Sequence, residues 1–291
     1  MSTVAVVGSI NADEVYRVDR LPRPGETVTA RHHASMQGGK GANAAVACAL
    51  SGARTALVGA VGDDAFGSAA LDDLRSCGVD VSRVVRLRGH RTGTAIVSVA
   101  AGGENSVLVS PGANGALAPG HVDAALHALP HVGVVLTNLE IGVDAAEAAL
   151  RGAAELGATA VLNPAPARDV PDRLFAYGPI LTPNEHEASV LTGHEDPASA
   201  AAALQLRTRA PVIVTLGARG ALVVQAGSST VLPAPRVKAV DTTGAGDAFN
   251  GALVARLARG DALLVAVQQA VRTAARSTRY EGARPRRGPG T

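Results

Sequence analysis

The sequence predicts an α/β fold with three layers: a mainly parallel sheet between two layers of helices, accompanied by a small antiparallel sheet. Two observations lead there. From about residue 115 onward, short β-rich runs alternate with longer helical patterns, and repeated strand, helix, strand units with right-handed crossovers build a parallel sheet covered on both faces. Two other stretches alternate polar and apolar residues around turn signals, as strands with one wet face do.

The elements follow in chain order. Val4 to Val7 is a first core strand. Glu14 to Val18 and Glu26 to Ala30 flank a Pro22/Pro24/Gly25 turn, and Thr94 to Val99 and Asn105 to Val109 flank Gly102-Gly103, which gives two hairpins. A small sheet of this kind needs cover for its apolar face, either by closing over a ligand or by pairing with a second copy. Ala44 to Leu50 is helical. Val132 to Thr137, Val143 to Leu156 and Ala158 to Leu162 read as strand, helix and strand, with Gly157 at a left-handed helix end. Ile180 to Thr182, Glu185 to Leu191, Ala198 to Arg209 and Val212 to Leu216 continue the rhythm. Val237 to Val240 reads as the end of a strand, and Ala248 to Leu257 carries apolar residues at helical spacing.

Composition narrows the function. The 291 residues suffice for one large α/β domain, and residues 1–291 are taken as one unit. A formal charge of +2 and only 18% charged residues exclude a basic field for nucleic acid or an anionic membrane, so a small-molecule partner is expected. The N-terminus carries no secretion signal, and every apolar run stops short of the roughly 18 residues of a membrane span. A cytoplasmic protein is expected. Cys48 and Cys77 fit no metal-ligand spacing and read as reduced packing residues.

Five segments carry chemistry. Gly244-Ala245-Gly246-Asp247 opens a helix, where free backbone N–H groups and the positive helix end favour a phosphate. Asp247, beside such a phosphate, is suited to taking a proton from a hydroxyl. Taken alone, the loop also fits a glycine-rich turn capped by an acid. Gln37 to Asn43 sets Gly38, Gly39 and Gly41 beside Lys40 and Asn43, donors suited to polyol oxygens, or forms a plain turn with a solvated lysine. Asn11 and Asp13 leave the first strand at the carboxyl edge of the sheet, where ligands of such sheets bind, and Glu140 meets the same edge. Asn184 to Glu187 opens another helix, as a cap or as a water-mediated Mg²⁺ site, with His186 a bystander. Thr215 to Gly220 brings a hydroxyl, Gly217 and Gly220 to that edge, or is a hairpin turn. No Walker A or protein-kinase signature occurs.

Together the GGKGAN run at 38–43 and the DTTGAGDAFNG run at 241–251 resemble the two signatures of the ribokinase (PfkB-type) family of carbohydrate kinases. Gly8 to Asp13, Asn163 to Ala167, Thr182 to Glu187 and Thr215 to Gly220 resemble segments of that family in the same order, from about residue 4 to about 285. The resemblance implies a ribokinase-like, Rossmann-like core with a β lid over approximately 11–37 and 91–110. It implies ATP-dependent phosphorylation of D-ribose at O5, or of another sugar or a nucleoside, with a catalytically silent sugar-binding protein as the rival of another class. Scarce aromatics, three Tyr, three Phe and no Trp, leave little for stacking a base.

By position, the resemblance implies that Asn11, Asp13, Gly38, Gly39, Lys40, Asn43, Glu140 and Asp247 bind the sugar. Asp247 is then the general base, and the backbone N–H groups of Gly244, Ala245 and Gly246 form the anion hole. Asn184, Thr215, Gly217, Gly220 and Gly246 lie along ATP, Glu187 reaches Mg²⁺ through water, and Asp241, Thr243 and Gly282 hold K⁺. A homodimer through the lid is implied as well. The tail departs from the family: Arg272, Arg276 and Arg279 share one face of a helix expected to pack, and Arg286 stands where a small polar ligand belongs. By the same comparison, the family's final helix is not expected after Arg286 to Thr291. Weak K⁺ activation is expected from that departure.

Overall fold

The computed structural model describes residues 2–284. The strands are β1 (Thr3–Val7), β2 (Asn11–Val18), β3 (His32–Gly38), β4 (Arg54–Gly62), β5 (Asp80–Leu87), β6 (Gly93–Ala100), β7 (Asn105–Ser110), β8 (Val132–Asn138), β9 (Thr159–Asn163), β10 (Ile180–Leu181), β11 (Val212–Thr215), β12 (Ala221–Gln225) and β13 (Ser228–Leu232). The helices are α1 (Lys40–Leu50), α2 (Ala65–Ser76), α3 (Pro119–His127), α4 (Val143–Glu155), α5 (Glu185–Thr192), α6 (Pro197–Thr208), α7 (Ala245–Leu257) and α8 (Leu263–Ser277).

Nine strands form the central sheet in the order β13-β12-β11-β10-β9-β8-β1-β4-β5, parallel except for the β11-β12-β13 edge. The buried runs of β1 and β8 explain the central position of those strands, since a strand covered on both faces must be apolar throughout. One face of the sheet packs against α1, α7 and α8, through Val46, Phe249, Leu253 and Val267; the other packs against α3, α4 and α6, through Leu126, Leu150 and Leu204. Residues 54–87, which go unassigned in sequence, supply β4, α2 and β5.

The smaller sheet runs β3-β2-β6-β7. Its two outer pairs are antiparallel, and β2 joins β6 in parallel. The second strand of the first hairpin is His32–Gly38 and not Glu26 to Ala30 as expected. Glu26 is held in the preceding loop by Arg20 and by the Arg23 amide, so the chain turns back later. The outer strand β7 is exposed along its length, with Leu108 68% exposed.

Two further expectations change. Val237 to Val240 belongs to no strand: Pro233 and Pro235 lack ladder donors, and the amides of Val240 and Asp241 donate instead to the Thr278 carbonyl. Arg272, Arg276 and Arg279 are all exposed, while Ala266, Val267, Ala270 and Val271 form the buried face of α8. The arginines therefore place no burden on packing. Arg286 lies outside the described residues.

Candidate active site

The carboxyl ends of β1, β8 and β10 and the starts of α1, α5 and α7 converge beside the small sheet, as the edge rule for parallel sheets requires. α1 starts at Lys40, earlier than its apolar pattern suggests, so Asn43 lies in its first turn. Gly39 takes φ 90° there, and a Cβ would press on the Asn11 amide at 2.7 Å. At Gly38 a Cβ would collide with the Asp13 carboxylate. The glycines let the start of α1 lie directly against β2.

Asn43 Nδ2 donates to Asp247 Oδ2 at 2.9 Å and ties the first turn of α1 to that of α7. Ser9 Oγ donates to Glu140 Oε2 at 2.6 Å, and the Lys40 amide donates to the same oxygen at 3.0 Å. Asn114, which no sequence motif signals, accepts from the Ile10 amide at 2.9 Å and donates to Asn11 Oδ1 at 2.7 Å. Asn11 is left with its own amide nitrogen to offer a ligand. Arg168 donates to the carbonyls of Leu139 and Ile141 and so fixes the loop that carries Glu140.

Burial pushes the Asp247 carboxyl up to about 6, with the Lys40 charge and the Asn43 hydrogen bond acting against it. Burial likewise raises Asp13 to about 6, helped by Glu140 and opposed by Arg284. The Asp247 charge raises the Lys40 ammonium above its usual range against the cost of burial. Three carboxylates and one lysine thus share a buried cleft that can accept hydroxyl protons.

On the other side of the α7 start lies a cavity of about 500 Å³. Thr215, Gly217 and Gly220 line one end, Ala245 and Gly246 another, and Val237, Ala239, Val271, Ala274 and Ala275 give it apolar walls. Nothing in the sequence marks these α8 residues as cavity lining, because small apolar residues at helical spacing read as core. Asn184 stands outside the cavity but bridges to Thr215. Its side chain accepts from the Glu187 amide, and Glu187 Oε2 accepts from the Asn184 amide at 2.9 Å, a complete capping box. The cap reading of this segment is therefore correct as structure, and Glu187 Oε1 remains unengaged by the described residues. Burial raises the Glu187 carboxyl.

Gly244 caps α7 at φ 73°, and a Cβ there would collide with the Ala283 carbonyl. The amides of Gly244, Gly246 and Asp247 have no acceptor among the described residues, whereas the Ala245 amide donates to the Thr242 carbonyl at 3.2 Å. Of the three amides expected to face an anion, one is thus engaged in a turn. A buried chain holds this turn in place: Asn163 donates to the Thr182 carbonyl, Thr182 Oγ1 to Asn250 Oδ1 at 2.7 Å, and Asn250 Nδ2 to the Gly246 carbonyl at 2.9 Å. Behind it, Asp241 accepts from the amides of Thr243 and Gly282, each at 2.9 Å. Asp241, Thr243 and Gly282 are therefore brought together.

Among the described residues, no three His, Cys, Asp or Glu side chains cluster as a metal site, and no helix is long and apolar enough to cross a membrane. Burial raises the Cys48 thiol to about 12, which makes it unreactive.

The model of the pfkB family carbohydrate kinases matches residues 1–287. The ribokinase of Haemophilus influenzae is 37% identical over 286 residues, covering 97% of this chain and 94% of its own. The ribokinase of Bacillus subtilis is 37% identical over 283 residues, covering 97% and 95%. The solved structure of Arabidopsis thaliana ribokinase complexed with ribose and ATP superposes with a TM-score of 0.87 at 29% identity, covering 97% of this chain and 94% of that one. Motifs, topology and relatives agree: this chain belongs to the pfkB family of carbohydrate kinases.

Proposed function

We propose that the protein phosphorylates D-ribose at O5 with ATP, giving ribose 5-phosphate. One observation carries this reading: the first turn of α7 is the wall between the two compartments, with Ala245 and Gly246 lining the apolar cavity and Asp247 joined to Asn43 in the polar cleft. A donor phosphate in the cavity and a hydroxyl in the cleft meet only there.

In this reading the sugar lies among Asn11, Asp13, Gly38, Gly39, Lys40, Asn43 and Glu140, and the adenine lies between the Val237 to Ala239 segment and α8. Asp247 removes the O5 proton as O5 attacks the γ-phosphorus, and the bond to the departing ADP oxygen breaks. The free amides of Gly244 and Gly246 stabilise charge on the transferring oxygens; the Ala245 amide joins them if it leaves Thr242. Thr215, Gly217 and Gly220 line the rest of the nucleotide, with Asn184 beside Thr215. The protein's contribution is alignment and a fixed electrostatic frame.

Two ions fit the residues present. Glu187 is buried, with Oε1 unengaged by the described residues, and would hold through water a Mg²⁺ that neutralises phosphate charge; one carboxylate plus substrate phosphates is a usual Mg²⁺ environment. Asp241 has spare lone pairs beyond its two amide contacts, and with Thr243 and Gly282 would hold a K⁺ behind the anion hole. We further read residues 1–291 as one domain with a lid over approximately 11–37 and 91–110, a homodimer formed through the exposed lid face, and a cytoplasmic enzyme that draws on ATP there.

The test is a coupled assay of purified protein with Mg²⁺, K⁺, ATP and a panel of ribose, deoxyribose, fructose, adenosine and pseudouridine. The highest kcat/KM is expected for ribose. Preference for another member would move the substrate assignment, and no turnover on any would support the silent rival.

A further inference from the structure

Arg284 enters the polar cleft from the far end of the described chain. Its Nε donates to Asn43 Oδ1 at 3.3 Å, and its Nη1 pairs with Asp73 of α2. Its side chain is only 14% exposed, yet Nη2 is buried with no hydrogen-bond partner among the described residues. Asp13 Oδ1 is likewise buried with no partner among the described residues, and Asp13 lies close enough to feel the Arg284 charge. A donor-only group and an acceptor-only group, both desolvated and both lacking a partner, cost free energy until something completes them. One hydroxyl completes both, accepting from Nη2 and donating to Oδ1.

We propose that Arg284 is a substrate-contacting, specificity-determining residue whose Nη2 grips one ring hydroxyl of the sugar, the same hydroxyl that donates to Asp13. The proposal rests on the reading of this cleft as the sugar site. The ligand class follows from the charges: Asp73 already pairs with Arg284, which leaves Asp13, Glu140 and Asp247 facing Lys40, so an uncharged sugar fits and a sugar acid or phosphate ester is repelled. Asp73 and Asn43 aim the guanidinium, and its rigid fork leaves Nη2 a fixed direction. Discrimination then arises because a sugar lacking that hydroxyl leaves two buried polar groups unpaired.

The experiment measures KM for D-ribose and for its three monodeoxy analogues, lacking the 1-, 2- or 3-hydroxyl, with wild type, Arg284→Gln and Asp73→Asn. A hydrogen bond to a charged group contributes enough that Arg284→Gln is expected to raise KM about tenfold or more for ribose and for two analogues. The third analogue, which lacks the gripped hydroxyl, shifts no more than about twofold, because no hydrogen bond is lost there. Asp73→Asn is expected to give the same pattern more weakly, with KM for ATP unchanged in both. A melting curve accompanies each variant, and if Arg284→Gln does not fold, Asp73→Asn and Arg284→Lys carry the test. Equal shifts on all four sugars, or none, overturn the role of Arg284 and leave the sugar site standing. Wild type that turns over none of the four overturns the sugar-site reading and this proposal together.

Discussion

Asn43 Nδ2 donates to Asp247 Oδ2 at 2.9 Å, joining residues 204 positions apart in the first turns of two helices. The bond favours the ionised carboxylate in a place where burial favours the neutral acid. Asn43 thereby helps set both the direction and the proton affinity of the group proposed as base.

Asn43→Ala is expected to lower kcat and to move its acid limb upward. Asp247 sits near 6 because burial raises it, and a base works only when ionised, so wild-type kcat falls as pH drops through about 6. Removing a hydrogen bond that lowers the pKa shifts that fall to higher pH. A pH profile of kcat with saturating sugar and ATP checks it.

Gly244→Ala is expected to lower kcat at least as much as the loss of one oxyanion donor does elsewhere, about 10²-fold. The residue sits at φ 73°, and its new methyl would strike the Ala283 carbonyl, displacing the turn that presents the free amides. Melting temperature should fall too, since positive φ and a clash with backbone both strain the folded state, while kcat falls steeply at temperatures where the variant is folded; a lower melting temperature with kcat kept would assign Gly244 to packing alone.

Ala275→Phe is expected to narrow the apolar cavity between α8 and the Val237 to Ala239 segment. Overpacking of about 1–3 kcal/mol corresponds to a rise in KM for ATP of about 5- to 150-fold, with KM for the sugar nearly unchanged. Steady-state kinetics with each substrate varied in turn separates the two compartments.

K⁺ activation is expected to be weak. The loop behind the anion hole is already closed by the Asp241 contacts to Thr243 and Gly282, so a cation adds charge without having to shape the turn. Assays at constant ionic strength with K⁺ replacing Na⁺ check it, and a kcat rising steeply with K⁺ would contradict it.

The parts legible in sequence were those with a strong local cause. Gly244 must take a left-handed φ, and Gly38 and Gly39 must admit Asp13 and Asn11, so glycine marks those positions in the chain itself. Alternation of polar and apolar residues marks β6 and β7, whose spans Gly93–Ala100 and Asn105–Ser110 contain the runs read from sequence, although β7 is exposed along its whole length. What stayed hidden depends on distant partners. His32–Gly38 lacks an apolar stripe and becomes a strand only by pairing with β2. Val237 to Val240 looks like a strand but is held by Thr278. Val271, Ala274 and Ala275 line a cavity with residues that also suit a core, and nothing local marks Asn114 or Arg284 as neighbours of Asn11 and Asn43.

The most direct measurement is kcat of Asp247→Asn with saturating ribose and ATP, alongside the dissociation constant for ribose. Ionised Asp247 is disfavoured by burial, since its folded pKa lies above the ordinary carboxylate value; removing the charge should not lower stability at pH 8, and lost turnover cannot then be ascribed to unfolding. The expected result is a loss of about 10² to 10⁴ in kcat, the worth of a positioned base, with ribose affinity within a small factor of wild type. Retention of more than about a tenth of kcat, far short of the loss of a general base, would contradict the role given to Asp247.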